Sequence, residues 1–440
     1  MTAEVAILNR NAVALAADSA VTLGNGKVFN SVNKLFSLSK YHPIGIMIYG
    51  DASFCGVPWE TVIKMYRHGL GKRRSNTVKG YAEEFLKYLE SEKLFQDEDT
   101  MGIYFDNIIR VVLQGAKLDL EAGVRNETLT IKEILNRAVP IFQKQLDWIS
   151  SWETRHKDAT KYSTILLRKY ARRIDNVISQ VFGTVPLEAR HLRILRRSSS
   201  LAVVRNAPQH IDLSAGLVIA GFGEREIYPV FLHYAIGGVF LDRLKFVPRD
   251  CFSLTGPDAK SGIIAPFAQS KSAWAFMAGI DPDLHSGILG FVQGLLSKVD
   301  VELGEIGKSF PGITPLQFDK IRELLRVKHD EIQKGFNAEV NRWRNDKHIT
   351  PLMNVVASLP KDEMGALAES LVSLTSYKRR YSPDSETVGG PIDVAVISKG
   401  DGFVWIKRKH YFEPQLNPQF FTKYYYEHQE KAGDAKEERF

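Results

Sequence analysis

The second residue is where chemistry can begin. Thr2 is small enough for methionine aminopeptidase to remove Met1, which frees the Thr2 α-amine. Such an amine titrates at about 7.7–8.0, close to working pH. It can therefore act as general base for the threonine hydroxyl, the arrangement used by amino-terminal threonine nucleophiles. A carboxylate is brought close by the chain itself. Residues 3–8 and 12–17 are apolar runs flanking the turn residues Asn9-Arg10-Asn11, and they read as a β-hairpin. A turn centred near Arg10 makes paired residue numbers sum to about 20, which sets Thr2 opposite Asp18 with Cβ atoms about 5 Å apart. A slip of one residue would turn that side chain to the other face. Lys34 is the natural cation of such a site. It would lower the pKa of the amine by repulsion and that of the hydroxyl by stabilising an alkoxide. Asp18 would neutralise and orient Lys34, and Gly50 would let its backbone N–H approach an oxyanion closely.

Taken singly, each residue has a plainer explanation. Met-Thr is a common start, Asp18 suits a turn, Lys34 suits a solvated strand edge and Gly50 a turn glycine.

The elements that would position these groups follow from periodicity. Both hairpin strands are apolar at successive positions, as in strands covered on both faces, so a sheet between two layers is expected. Residues 34–39 and 44–49 read as two further strands, the second ending at Gly50. From Pro58 the spacing of Trp59, Val62, Ile63 and Tyr66 becomes helical, and amphipathic helices are expected over 82–94, 101–120 and 131–152. A basic stretch over 155–199 keeps a helical face through Tyr162, Leu166, Ile174 and Val177. Strands return at 213–223, 227–234 and 240–247, then helices at 273–276, 287–299, 315–345 and 364–376. A closing hairpin over 392–398 and 403–407 turns at Lys399-Gly400-Asp401-Gly402. Strands, helices, strands, helices and strands in that order suggest one α+β layered core with helical excursions.

Composition narrows the functional classes. The 440 residues carry 58 basic and 51 acidic side chains, a net charge of +7, with ordinary apolar content. Cys55 and Cys251 are too few for a disulfide framework, which favours a reducing, cytoplasmic setting. No run of about 18 apolar residues predicts a membrane span, and the start lacks the pattern of a secretory signal. Gly221-Phe222-Gly223 lacks the third glycine of a dinucleotide loop, and no phosphate-binding GxxxxGK[ST] segment occurs. The histidines show no HExxH and the cysteines no CxxC, so neither a metal nor a cofactor is expected. Basic clusters such as Lys72-Arg73-Arg74 and Lys378-Arg379-Arg380 read as exposed surface, not as a nucleic-acid face, because the whole chain is nearly charge-balanced.

The stretch Ala16-Ala17-Asp18-Ser19-Ala20-Val21-Thr22-Leu23-Gly24-Asn25, with Thr2 before it and Asn33-Lys34-Leu35-Phe36 after it, resembles the start of proteasome β-type subunits and of the related bacterial proteasome-like peptidase. In that family a mature amino-terminal threonine, an aspartate sixteen residues on and a lysine sixteen further form the catalytic set. Thr2, Asp18 and Lys34 stand at those intervals, and Gly50-Asp51-Ala52 is similar to the segment that supplies the oxyanion N–H. The match covers residues 2–70, with weaker echoes at 217–222 and at 388–396, where Val388-Gly389-Gly390-Pro391-Ile392 leads into a strand. Family members usually carry a serine before that Gly-Gly and an aspartate three residues earlier. Here the positions read Val388 and Ser385, with Asp384 and Glu386 near enough to substitute. A serine from the middle of the chain is also expected, with Ser261 and Ser270 as candidates.

The resemblance implies a four-layer αββα Ntn-hydrolase sandwich with large helical insertions. Its N-terminal part would occupy 1–98, its middle part 206–300 and its C-terminal part 351–412. Helical insertions would fill 99–205 and 301–350, and a charged tail 413–440. It further implies a threonine peptidase that cleaves amide bonds through an acyl-enzyme on Thr2, assembly into a ring or other closed oligomer, and an ATPase or regulatory partner. The alternatives are a proteasome-like scaffold that has lost activity, which Val388 and the insertions favour, and a small-amide hydrolase on the same fold.

Overall fold

The computed structural model describes residues 2–22, 27–124, 129–183, 185–209, 211, 213–254, 261–308, 314–383 and 388–426. The chain opens with β1 (Ala3–Asn9) and β2 (Ala12–Ala17), then β3 (Val21–Thr22), β4 (Val28–Phe29), β5 (Leu35–Ser37), β6 (Ile44–Gly50), β7 (Ser53–Phe54) and β8 (Val57–Pro58). Helices α1 (Trp59–Leu70), α2 (Val78–Ser91), α3 (Glu98–Val124), α4 (Ile131–Ser151), α5 (Ala159–Lys169), α6 (Ala171–Phe182) and α7 (Ala189–Val204) follow. Strands β9 (Ala215–Gly221), β10 (Val230–Phe240), β11 (Arg243–Ser253) and β12 (Gly262–Ala268) precede α8 (Lys271–Ala278), α9 (Pro282–Lys308), α10 (Pro315–Arg344), α11 (Thr350–Ser358) and α12 (Lys361–Arg380). The hairpin β13 (Asp393–Ser398) and β14 (Gly402–Lys407) comes before α13 (Pro418–Tyr426).

Two five-stranded antiparallel sheets carry the architecture, ordered β12-β1-β2-β13-β14 and β11-β10-β9-β6-β5. Every residue of β1 and β2 is buried, and alternation sorts them onto two faces. Ala6, Leu8, Val13 and Leu15 meet Met47, Val218 and Phe231 of the second sheet. Val5, Ile7, Ala14 and Ala16 instead pack on Met277, Val356, Met364 and Val372 from α8, α11 and α12. On the far side of the second sheet, Ile46, Leu217 and Ile219 meet Trp59, Ile63 and Phe85 of α1 and α2. The fully apolar strands are thus explained by burial on both sides.

The first hairpin departs from its expected register by one residue. Its loop is the two residues Arg10 and Asn11, so pairs sum to 21, with Glu4 opposite Ala17 and Leu8 opposite Val13. Asn9 sets this turn. Its Oδ1 accepts the N–H groups of Asn11 (2.9 Å) and Ala12 (3.2 Å), while its Nδ2 donates to the carbonyls of Val356 (3.1 Å) and Leu359 (2.8 Å) at the end of α11. Asn9→Ala would strand these buried groups and is expected to cost about 2–3 kcal/mol, read as a lower urea midpoint. An unchanged midpoint would show that water replaces them.

Strand β12 was not expected from the sequence. Pro266 within it reads against a strand interior, and the structure reconciles the two because, among the described residues, β12 is an edge strand that pairs with β1 alone. Leu241 and Asp242 (φ 49° and 58°) form a tight turn without glycine, so β10 runs on through Phe240, which the apolar pattern alone places in the next strand.

Helices α3–α7 build a separate apolar cluster around Phe105, Ile109, Phe142, Leu166, Ile174 and Leu195, which meets the second sheet at Phe240. There the Tyr162 hydroxyl donates to the Phe240 carbonyl (2.7 Å), and the buried Lys245 Nζ donates to the carbonyls of Ala202 and Arg205 at the end of α7. Burial, reinforced by Arg155 and Arg249, pushes the Lys245 pKa down to about 7. The unfolded chain therefore holds this proton more tightly than the folded one, so stability rises with pH from about 7 towards the ordinary lysine range. Lys245→Met should flatten that rise in urea unfolding series. A slope equal to the wild type's would assign it to other groups.

Candidate active site

Strand β1 delivers Thr2 to the end of the first sheet, where it is 3% exposed. The Thr2 carbonyl accepts the Gln269 N–H (2.9 Å), just beyond a left-handed Ala268 (φ 56°) that ends β12. Met1 lies outside the described residues.

Asp18 stands where the chain leaves β2. The observed register places it opposite Ala3 instead of Thr2, with reciprocal bonds between Asp18 N–H and the Ala3 carbonyl (3.1 Å) and between Ala3 N–H and Asp18 Oδ1 (3.1 Å). Because β2 ends at Ala17, the carboxylate is free of strand alternation and reaches Lys34. Lys34 Nζ donates to Asp18 Oδ1 at 2.6 Å, and also to the Ala20 carbonyl. Asp18 Oδ2 accepts the N–H groups of Ala20 (3.3 Å) and Gly389 (3.0 Å). Both side chains of the pair are almost wholly removed from solvent. Burial lowers the Lys34 pKa, and the neighbouring Asp18 and Glu4 carboxylates oppose that fall while Lys409 adds to it.

The Val388-Gly389-Gly390 segment has a visible task. Gly389 gives its N–H to Asp18 and its carbonyl to the Ser19 N–H (3.1 Å), while Ser19 Oγ donates to the Pro391 carbonyl. Gly390 (φ 75°) lies so close to Asn30 that a Cβ would meet its backbone oxygen at 2.8 Å. Val388 is fully buried against the helices outside the first sheet. Asp384, Ser385 and Glu386 lie outside the described residues. Of the two mid-chain serines, Ser261 falls beside the Asn9 end of β12, roughly 26 Å from Thr2 by strand rise, whereas Ser270 follows Gln269 at the Thr2 end.

Gly50 ends β6 with φ 86°, and a Cβ there would lie 2.5 Å from the Ser214 carbonyl oxygen, so no other residue fits without strain. Thr2 and Gly50 together line two cavities. One, of about 410 Å³, is shared with Lys34, Val21, Ile48 and Trp59. The other, of about 440 Å³, is shared with Tyr49, His233, Asp250 and Gln269. Thr2 thus lines both cavities, one of them together with the buried Lys34 and the Gly50 backbone, and a hydroxyl so placed can attack a carbonyl held on one side while a leaving group occupies the other.

Two features escaped the sequence. Glu4, two residues after Thr2 on the same face, is buried, and neither of its oxygens has a hydrogen-bond partner among the described residues. Burial raises its pKa well above the usual carboxylate range, against the pull of Lys34 and with a further push from Asp18. The period-two spacing from Thr2 was the signal available for it. Tyr49, His233 and Asp250 meet only through tertiary pairing of distant strands, and nothing in their sequence spacing announces it.

Among the described residues, no group of three or more His, Cys, Asp and Glu side chains is arranged to hold a metal ion, and no helix is long and apolar enough to cross a membrane. No family model matches the chain, and no curated protein matches it. Among solved structures it is similar to the Anbu complex from Pseudomonas aeruginosa, determined as a helical assembly. The identity is 9% and the TM-score 0.28, over 96% of this chain and 93% of that one. A likeness of that size carries no weight for fold or activity.

Proposed function

We propose that the chain is a proteasome-like N-terminal threonine hydrolase on a four-layer αββα Ntn-hydrolase sandwich, cleaving peptide amide bonds through an acyl-enzyme on Thr2. The observation that carries this is the buried Lys34–Asp18 pair, 2.6 Å apart, whose Lys34 lines one cavity with Thr2 and Gly50 while Asp18 lies behind it. After removal of Met1, the α-amine takes the hydroxyl proton as Thr2 Oγ attacks the carbonyl carbon. Lys34 stabilises the forming alkoxide electrostatically, Asp18 holds Lys34 in place, and the Gly50 N–H receives the oxyanion. The departing amine leaves with a proton, and water releases the acyl group from the ester.

Within this reading, residues 99–205 and 301–350 are insertions into the core. The family resemblance of residues 2–70 further supports assembly into a closed oligomer. Buried Val388, at the family's serine position, favours a second reading: a scaffold without activity. Turnover of a panel of peptide anilides and simple amides separates them. Measurable peptide hydrolysis is expected; hydrolysis of simple amides alone would redirect the substrate class, and no turnover on either would leave the scaffold reading in place.

A further inference from the structure

The second cavity beside Thr2 contains a hydrogen-bonded chain that the threonine mechanism does not use. Tyr49 Oη lies 2.6 Å from His233 Nε2, and His233 Nδ1 lies 3.2 Å from Asp250 Oδ2. Tyr49, His233 and Asp250 all line this cavity together with Thr2 and Gly50.

The fold holds the chain in place from three directions. Tyr49 immediately precedes Gly50 on β6 and pairs with Gly216, where a Cβ would fall 2.0 Å from the phenol ring, so that glycine makes room for it. His233 lies on β10 and is 9% exposed, with Phe267 packed edge-on against its ring at 5.1 Å. Opposite it, the β10–β11 ladder is irregular. Leu232 pairs with Cys251 and Tyr234 with Pro248, leaving Arg249 and Asp250 as a bulge against His233 alone. Bulges re-aim side chains in this way next to active sites. Among the described residues, the other charged group on the cavity, Arg249, donates to the carbonyls of Ala207 (2.9 Å) and Ile211 (2.7 Å).

The chemistry follows from the order of the groups. The Asp250 carboxylate accepts from Nδ1–H, which leaves Nε2 as the acceptor for the phenol O–H. The phenol oxygen is then polarised towards accepting a proton from a group in the cavity. The imidazolium that would form lies against a carboxylate whose pKa this contact holds below the usual range.

We propose that Tyr49, driven by His233 and Asp250, is the general base that activates the water hydrolysing the Thr2 acyl-enzyme. The inference rests on the threonine reading above and assigns its second half. Water oxygen bonds to the acyl carbon as its proton passes to Tyr49 Oη and the phenol proton passes to His233 Nε2. When the carbon–Thr2 Oγ bond breaks, the protons return along the same path to Oγ. The products are a free carboxylic acid and the regenerated hydroxyl. Tyr49 is the catalytic residue of this step; His233 and Asp250 position it.

Tyr49→Phe keeps the ring and removes only the hydroxyl, and His233→Gln supplies a second variant. With an activated peptide ester, both are expected to keep a burst of about one product per site while steady turnover falls roughly 10²- to 10⁴-fold. Intact mass should then show the acyl group accumulating on the chain. The preserved burst certifies that the variants are folded. If burst and turnover fall together, or neither changes, the relay assignment is overturned while wild-type acylation of Thr2 still stands. If wild-type protein gives neither burst nor adduct, the threonine reading itself fails and the relay falls with it.

Discussion

Thr2→Ala is expected to lower peptide hydrolysis by on the order of 10⁴- to 10⁶-fold, the range seen when a nucleophile is removed and only binding and oxyanion stabilisation remain. Thr2→Ser retains hydroxyl and amine and should stay within about tenfold of wild type. The side chain is small and sits at a strand terminus between two cavities, so urea midpoints of both variants should lie near the wild-type value. Equal rates for wild type and Thr2→Ala would leave the scaffold reading as the account of this fold.

The second large effect concerns the buried pair, and its two members should behave differently. Asp18→Asn leaves the Lys34 ammonium buried with its counter-ion gone, which costs about 3–5 kcal/mol of stability along with activity. Lys34→Met leaves a carboxylate that still accepts three backbone N–H groups, from Ala3, Ala20 and Gly389. It should therefore lose much less stability, while kcat falls roughly 10²- to 10³-fold with the electrostatic support of the oxyanion and alkoxide. Paired unfolding curves and kinetics measure both, and an active Lys34→Met would remove Lys34 from the mechanism.

The pH dependence has a definite sign. Burial lowers the folded pKa of Lys34 below its value in the unfolded chain. On the proposed mechanism the ammonium, and activity with it, is expected to be lost in a pH–rate series as pH rises through that lowered value. Over the interval up to the ordinary lysine pKa the unfolded state binds more protons, so the Lys34 contribution to stability rises as activity declines.

Sequence put the catalytic candidates forward on two signals: one hairpin, which brings Asp18 near the start of the chain, and the proteasome-like spacing of Thr2, Asp18 and Lys34. Thr2, Asp18, Lys34 and Gly50 reach one region through β1, β2, β5 and β6, all within the first 50 residues. The register slipped by one because a two-residue loop held by the Asn9 side chain looks, in sequence, the same as a turn centred on Arg10. The Asp18–Lys34 contact survived the slip only because β2 ends one residue before Asp18. Amphipathic helices were readable from spacing, since Val62, Ile63 and Tyr66 or Phe105, Ile109 and Leu113 fix a face locally. Non-local features were not readable. Edge strand β12 is masked by Pro266, and the Tyr49–His233–Asp250 chain depends on a bulge that no local pattern encodes.

The central claim is tested most directly by intact mass after incubation with a hydroxyl-reactive β-lactone. The account predicts a chain that begins at Thr2 and carries one acyl group, which peptide fragmentation maps to Thr2 and which Thr2→Ala does not acquire. An active protein that retains Met1, or an adduct mapped to any other residue, would contradict it.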